Sequence, residues 1–359
     1  MINQKCFQKE WLDKIKTGKY PDVDIALLER TIYAFELLGL LSQSEKKFIF
    51  KGGTALILLL PELKRLSIDI DVLGNFDEKT YQTIITDSVF IRYELDKREA
   101  KNIPKQHVKF FYNSFLDKKE KYILLDLLDE QNPFSSTVNK TINSELFEIA
   151  QDLTVSIPSI NDLLADKLTA FAPNTIGILY GTDKSMEIIK QLFDISILFD
   201  SLDDLVKISN TYTKIYSQQN TYRGNKFTIE EVLNDSITAA SKICMLDLKG
   251  NIEDKASTEL RSGIKSINNF LLSRDYNLSK AKISAAKVAL LSTLLLFNKK
   301  DFPITDIRFG PAKLPGLKAF ELPKEFKSLN TLKKINVESF YYWSLIAKIT
   351  DKYDWLNLG

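Results

Sequence analysis

The chain has 359 residues, with 49 Lys and Arg against 47 Asp and Glu, a formal net charge of +2 at pH 7. That length predicts one large or two fused domains, and 44% hydrophobic residues allow a substantial core. The charge balance argues neither for nor against a nucleic-acid partner, since only a local patch could do so. The two cysteines, Cys6 and Cys244, stand far apart. They exclude a disulfide scaffold and a zinc framework, and they fit a reducing, cytoplasmic setting. The single histidine, His107, excludes a multi-histidine zinc site. No GxSxG accompanies it, and "KGGT" lacks the spacing of a Walker A loop. Catalysis, if present, falls to carboxylates, lysines and a metal.

In chain order, residues 8–17 and 24–42 carry helical periodicity. The N-terminal stretch has no apolar core of a secretory signal. "KFIF" (47–50) predicts a short strand running into Gly52-Gly53, and "TALILLL" predicts a helix that stops before Pro61. "LSIDIDVL" (66–73) alternates with period two, as a strand does. Residues 78–90 predict a helix. "HVKFFYNSF" (107–115), a polar turn and "YILLDLLDE" (122–130) predict a β-hairpin, with His107 solvated on its strand. After residue 140 the pattern predicts helices. One opens after Pro158, with Ser159 or Asn161 as N-cap, and an apolar one spans 184–200. Residues 201–302 predict helices and no strand, 310–323 a loop, and 334–350 a final helix holding "FYYW" in its core. "VALLSTLLLF" (288–297) is too short to span a bilayer and predicts a buried helix, so no membrane role is expected.

The chemistry concentrates at residues 50–74. Alternate residues on a strand face the same way, so Asp69 and Asp71 project together from an otherwise apolar segment. Two parallel carboxylates repel each other unless a cation compensates. Oxygen ligands in that number suit Mg²⁺, which takes one or two carboxylates plus substrate phosphates. A strand–Gly-Gly–helix junction lets backbone approach a ligand and offers helix N–H groups to phosphate. The alternative is a tight turn followed by a wet strand edge; the two features together favour a phosphate-handling cleft.

"FKGGTAL…RLSIDIDV" resembles the AbiEii/AbiGii toxin family of nucleotidyltransferases, within the polymerase-β-like superfamily, through Gly52, Gly53, Arg65, Ser67, Asp69, Ile70 and Asp71. The resemblance continues at Asp166-Lys167 and at "KQLFDI" with Asp194, whereas Lys190 and Gln191 depart from the family's Arg-Asp start. It implies an α+β fold: a polymerase-β-like core with a small mixed sheet, then a mainly helical C-terminal region. The corresponding domains are 1–200 for nucleotidyl transfer and 201–359 for acceptor or partner binding. It implies Mg²⁺, or alternatively Mn²⁺, on Asp69, Asp71 and a third carboxylate, Asp126. Gly52, Gly53 and Thr54 would hold phosphate, with Arg65 and Ser67 beside them. Lys167 would neutralise the triphosphate, with Asp194 as its partner in either an active-site network or a structural salt bridge.

The implied reaction moves a nucleoside monophosphate from an NTP to an acceptor hydroxyl. The implied setting is a bacterial toxin–antitoxin or phage-defence system, with tRNA or another RNA as acceptor and a separately encoded antitoxin. Residues 96–121 carry eight Lys/Arg against four acids. They are the first place to seek RNA phosphate contacts, although a solvated hairpin has the same composition. Two other functions stay open at this level: a small-molecule nucleotidyltransferase of the antibiotic-modifying kind, and an inactive nucleotidyltransferase-fold binding protein.

Overall fold

The N-terminal periodic runs form α1 (Lys9–Gly18) and α2 (Ile25–Ser42). Asp24 starts α2 by accepting the Ala26 N–H at 2.8 Å, the usual way an orphan helix donor is satisfied. A computed structural model of the chain describes residues 1–86, 88–96 and 104–350. Part of the basic 96–121 stretch, residues 97–103, therefore lies outside the described residues.

β1 (Ile49–Lys51) runs directly into α3 (Gly52–Leu59), and β2 (Ile70–Leu73) returns beside it. Then come α4 (Glu78–Thr86), β3 (Arg92–Asp96), β4 (Lys105–Asn113), β5 (Glu120–Leu128), β6 (Thr137–Thr141) and β7 (Thr154–Pro158). The seven strands make one sheet in the order β3-β4-β5-β2-β1-β7-β6. β2 is parallel to β5 and β1 to β7; the other neighbours are antiparallel.

Several elements differ from the sequence expectation. β3, β6 and β7 are strands that the sequence pattern does not predict, and helix resumes only at residue 160. β3 and β6 are the two edges of the sheet. Their half-exposed sequences, RYELD and TVNKT, lack the apolar alternation that marks a strand packed on a core. β2 starts at Ile70 rather than at residue 66. The residues before it pair elsewhere: the Leu66 N–H donates to Phe270 O at 2.8 Å, and the Leu272 N–H to Lys64 O at 3.3 Å. Asp69 therefore stands one residue ahead of the strand.

The chain folds as two compact units. The first holds Met1–Ser159 with Asn268–Asp275; the second holds Ile160–Ile267 and the described residues from Tyr276 on. The division at residue 159/160 precedes the 200/201 boundary drawn from the sequence. In the second unit, α5 (Ile160–Ala170), α6 (Ser185–Phe199), α7 (Leu205–Tyr222), α8 (Ile229–Met245), α9 (Lys255–Ser266) and α10 (Leu278–Leu296) come first. The short α11 (Ile304–Ile307), α12 (Leu314–Lys318) and α13 (Leu332–Ile335) follow, and then α14 (Val337–Thr350). α12 lies in a stretch expected as loop, and its proline sits at the first helical turn, where the missing N–H costs nothing. α10 packs against α6, α8 and α14. Its Ala285, Val288, Ala289, Leu290 and Leu291 are fully buried, and so are Phe340 and Trp343 of α14. Among the described residues no helix is long and apolar enough to cross a membrane. The whole is an α+β architecture: a mixed sheet with helices, followed by a helical remainder.

One buried acid ties the first unit together. Glu29 of α2 is fully buried. Its carboxylate accepts the Ser114 hydroxyl and the Phe115 N–H at 2.9 Å, and Lys121 Nζ at 3.3 Å. These groups flank the turn between β4 and β5, so α2 fixes the hairpin. Glu29→Ala strands those donors, and a broken buried charged pair costs about 3–5 kcal/mol. Urea unfolding should show a loss of that order, while an exposed change such as Glu45→Ala should move stability by less than about 0.5 kcal/mol.

Candidate active site

The site starts where β1 gives way to α3. Gly52 has φ +78°, a left-handed conformation that glycine adopts without the strain a side chain brings. A Cβ at Gly52 would collide with Asp71 Oδ2, and one at Gly53 with Arg65 Nη2. The glycine pair therefore lets backbone lie directly against a carboxylate and a guanidinium. The N-cap residue of α3, Lys51, makes no side-chain capping bond to the helix. Thr54 is fully buried and donates its hydroxyl to Asp69 O at 2.6 Å. Its side chain thus positions Asp69, leaving its backbone for any phosphate contact.

Strand register then sets a row across the sheet. Lys51 of β1 pairs with Asp71 of β2, Asp71 with Asp126 of β5, Asp126 with His107 of β4, and His107 with Asp96 of β3. Residues directly across a ladder put their side chains on one face, and neighbouring strands lie about 4.8 Å apart. Asp71 and Asp126 are consequently side-by-side carboxylates. Ile70 and Val72 take the opposite face of β2, at 0% and 1% exposure. His107 Nδ1 lies 2.5 Å from Asp126 Oδ1, both side chains being largely buried. Lys109 Nζ lies 3.2 Å from Asp96 Oδ2 at the end of the row.

The other residues expected at the site fall around this row. Asp69 is half-buried and sits just before β2. Among the described residues no group of three or more His, Cys, Asp or Glu side chains is gathered to hold a metal ion. The acids that strand register brings together are Asp71 and Asp126. Two carboxylates match the number Mg²⁺ commonly takes when phosphates and waters complete its shell, so this oxygen donor set fits such a cation. Arg65 is 6% exposed and donates to Leu66 O at 3.1 Å. Ser67 O accepts the Thr31 hydroxyl at 3.2 Å. Asp129, also on the β5 side, is exposed and outside the row.

His107 is where the structure corrects the sequence expectation most. It is not a solvated strand residue but the neighbour of Asp126. Pairing the two apolar runs end to end would set His107 opposite Glu130. The turn actually spans Ser114–Lys119, which sets His107 opposite Asp126. Periodicity locates strands but does not fix register when a turn is long.

Lys167 of α5 and Asp194 of α6 lie in the second unit. They form a buried ion pair at 3.0 Å, with side-chain exposures of 6% and 0%. The pair expected from the sequence is thus made.

Substitutions at these points should register as stability changes. Gly52→Ala adds a methyl group where Asp71 sits and strains the backbone. Overpacking of this kind costs about 1–3 kcal/mol, so chemical denaturation should show that loss. Lys167→Ala removes the ammonium from beside a fully buried carboxylate and should cost about 3–5 kcal/mol. Lys167→Met combined with Asp194→Leu should recover most of it, because the paired desolvation penalty then disappears.

The family described as "Nucleotidyl transferase AbiEii toxin, Type IV TA system" matches residues 37–260 of this chain, more than half of its length. Comparison with curated proteins gave no match. Among solved structures, JHP933 from Helicobacter pylori is 16% identical, over 78% of this chain and 95% of its own, with a TM-score of 0.44. An antigenic nucleotidyltransferase-like protein from Paracoccidioides brasiliensis is 13% identical, over 55% of this chain and 89% of its own, with a TM-score of 0.36. The sequence match, not these loose structural likenesses, carries the identification. The chain belongs to the AbiEii nucleotidyl transferase toxin family and is, by that membership, a nucleotidyltransferase.

Proposed function

We propose that the chain transfers a nucleoside monophosphate from an NTP to a hydroxyl of an RNA, tRNA being the first acceptor to examine, in a reaction that depends on Mg²⁺ or Mn²⁺. The observation that carries this reading is the pairing of Asp71 with Asp126 on parallel neighbouring strands, beside the Gly52 backbone. Asp71 and Asp126 would hold the cation; Asp69, just ahead of β2, is not gathered with them into a three-acid group. A bound divalent ion supplies charge neutralisation for the triphosphate and orients its phosphates.

The chain's own groups do the rest. The N–H groups of Gly52, Gly53 and Thr54 at the start of α3 face phosphate. Arg65 lies against Gly53 with its guanidinium nearly buried, a fixed cation beside that turn. The acceptor oxygen forms a bond to the α-phosphorus, the bond from that phosphorus to the leaving oxygen breaks, and pyrophosphate departs. The acceptor hydroxyl gives its proton to Asp126, the third carboxylate that the family resemblance implies. Lys167 and Asp194 form their own buried ion pair within the second unit.

The RNA acceptor and the partner rest on the family. A toxin of a toxin–antitoxin system needs a target whose modification stops growth and a second gene product that opposes it. Substrates of this kind, an NTP and an RNA, fit action in the cytoplasm.

The test is incubation with each α-³²P-NTP, Mg²⁺ and total RNA. Label should enter RNA, vanish with EDTA, and fall about a hundredfold or more with Asp71→Asn or Asp126→Asn, the size of losing a group that stabilises transition-state charge. Label appearing only on small molecules would transfer the assignment to the small-molecule class. Undiminished labelling by both variants would overturn the site.

A further inference from the structure

We propose that His107 is a positioning residue for nucleotidyl transfer: its Nδ1–H donates to Asp126 Oδ1 and fixes the carboxylate so that its other oxygen is turned to the cation and phosphates. The inference rests on the cation-dependent reading above and deepens it.

Three observations converge. His107 Nδ1 and Asp126 Oδ1 are 2.5 Å apart. An ionised carboxylate is acceptor-only, so the hydrogen of this contact belongs to the imidazole. The contact is also held by the backbone and not by chance rotamers. His107 and Asp126 are register partners in a nine-residue antiparallel ladder, and Asp126 is the register partner of Asp71. Finally, the two side chains are only 15% and 18% exposed, so water competes little for the bond.

The arrangement answers a physical difficulty. Two carboxylates on adjacent strands repel, and each could swing away from the other. Lys51 is the register partner of Asp71 on one side, and His107 is that of Asp126 on the other. The pair is thereby flanked by a donor at each end. A carboxylate tied at one oxygen keeps the second oxygen in place for a ligand, as outer-shell hydrogen bonds do around metal sites generally. No other histidine exists in the chain, and no other residue is paired with Asp126 from β4.

The experiment compares His107→Asn, His107→Ala and His107→Phe in the full-length chain. Asn places an amide N–H near the position of Nδ1; Ala and Phe place none. Mn²⁺ alone is titrated, with free Mn²⁺ read by electron paramagnetic resonance, and labelling activity is measured alongside. Ala and Phe should weaken Mn²⁺ binding about 10- to 100-fold, with Asn within about threefold of the unsubstituted chain. Unchanged binding in Ala and Phe would overturn the proposal. So would an Asn variant as weak as Ala, which would assign His107 to packing alone. If Ala fails to fold, Phe and Asn decide by the same comparison. An unsubstituted chain that binds no Mn²⁺ would remove the cation reading itself. Binding lost in Asp126→Asn but kept in Ala and Phe would remove only the role of His107.

Discussion

Two like charges held side by side are the constraint on which the rest of the first unit depends. Asp71 and Asp126 cannot separate, because β2 and β5 are locked in register through four residue pairs. Everything near them is arranged around that fact. Gly52 takes a left-handed conformation and lacks a side chain, so backbone can lie against Asp71. Thr54 ties the start of α3 to the Asp69 carbonyl, which keeps the helix end close to the strand that follows it. Lys51 and His107 stand on either side of the acidic pair in the same row. A sheet selected only for packing would place Val or Ile at these positions, as it does at Ile70, Val72, Leu125 and Leu127, all nearly or fully buried.

Buried charges elsewhere follow a similar logic. Glu29 holds the β4–β5 turn onto α2, and Lys167 holds Asp194 between α5 and α6. Each buried acid has partners that offset its desolvation, as an interior carboxylate requires. Asp235 of α8 makes the same point. It accepts the Asn174 N–H and side-chain amide at 2.7 Å and the Thr175 hydroxyl at 2.9 Å. Burial still pushes its carboxyl above the usual carboxylate range.

Much of this is legible in the sequence because it lies in local patterns. The glycine pair, the alternation around Asp71, the acid inside "YILLDLLDE" and the acid inside the apolar run of α6 are each anomalies against a simple background. The partner of Asp194 can be named because a buried acid demands a cation and Lys167 is nearest in pattern. What stays hidden is non-local. β3 and β6 carry edge sequences with little apolar alternation. The shortening of β2 depends on residues 270–272, some two hundred positions away. The place of His107 depends on hairpin register, which a six-residue turn leaves open. Glu29 is invisible because its partners sit at the far end of that same hairpin.

Whether Asp71 and Asp126 together form a cation-dependent triphosphate site is decided by calorimetric titration of a non-hydrolysable NTP analogue, with Mg²⁺ and then with EDTA. Binding should occur in Mg²⁺, disappear in EDTA, and disappear in both Asp71→Asn and Asp126→Asn. Equal binding with and without the cation, or binding unaffected by either substitution, would refute the site.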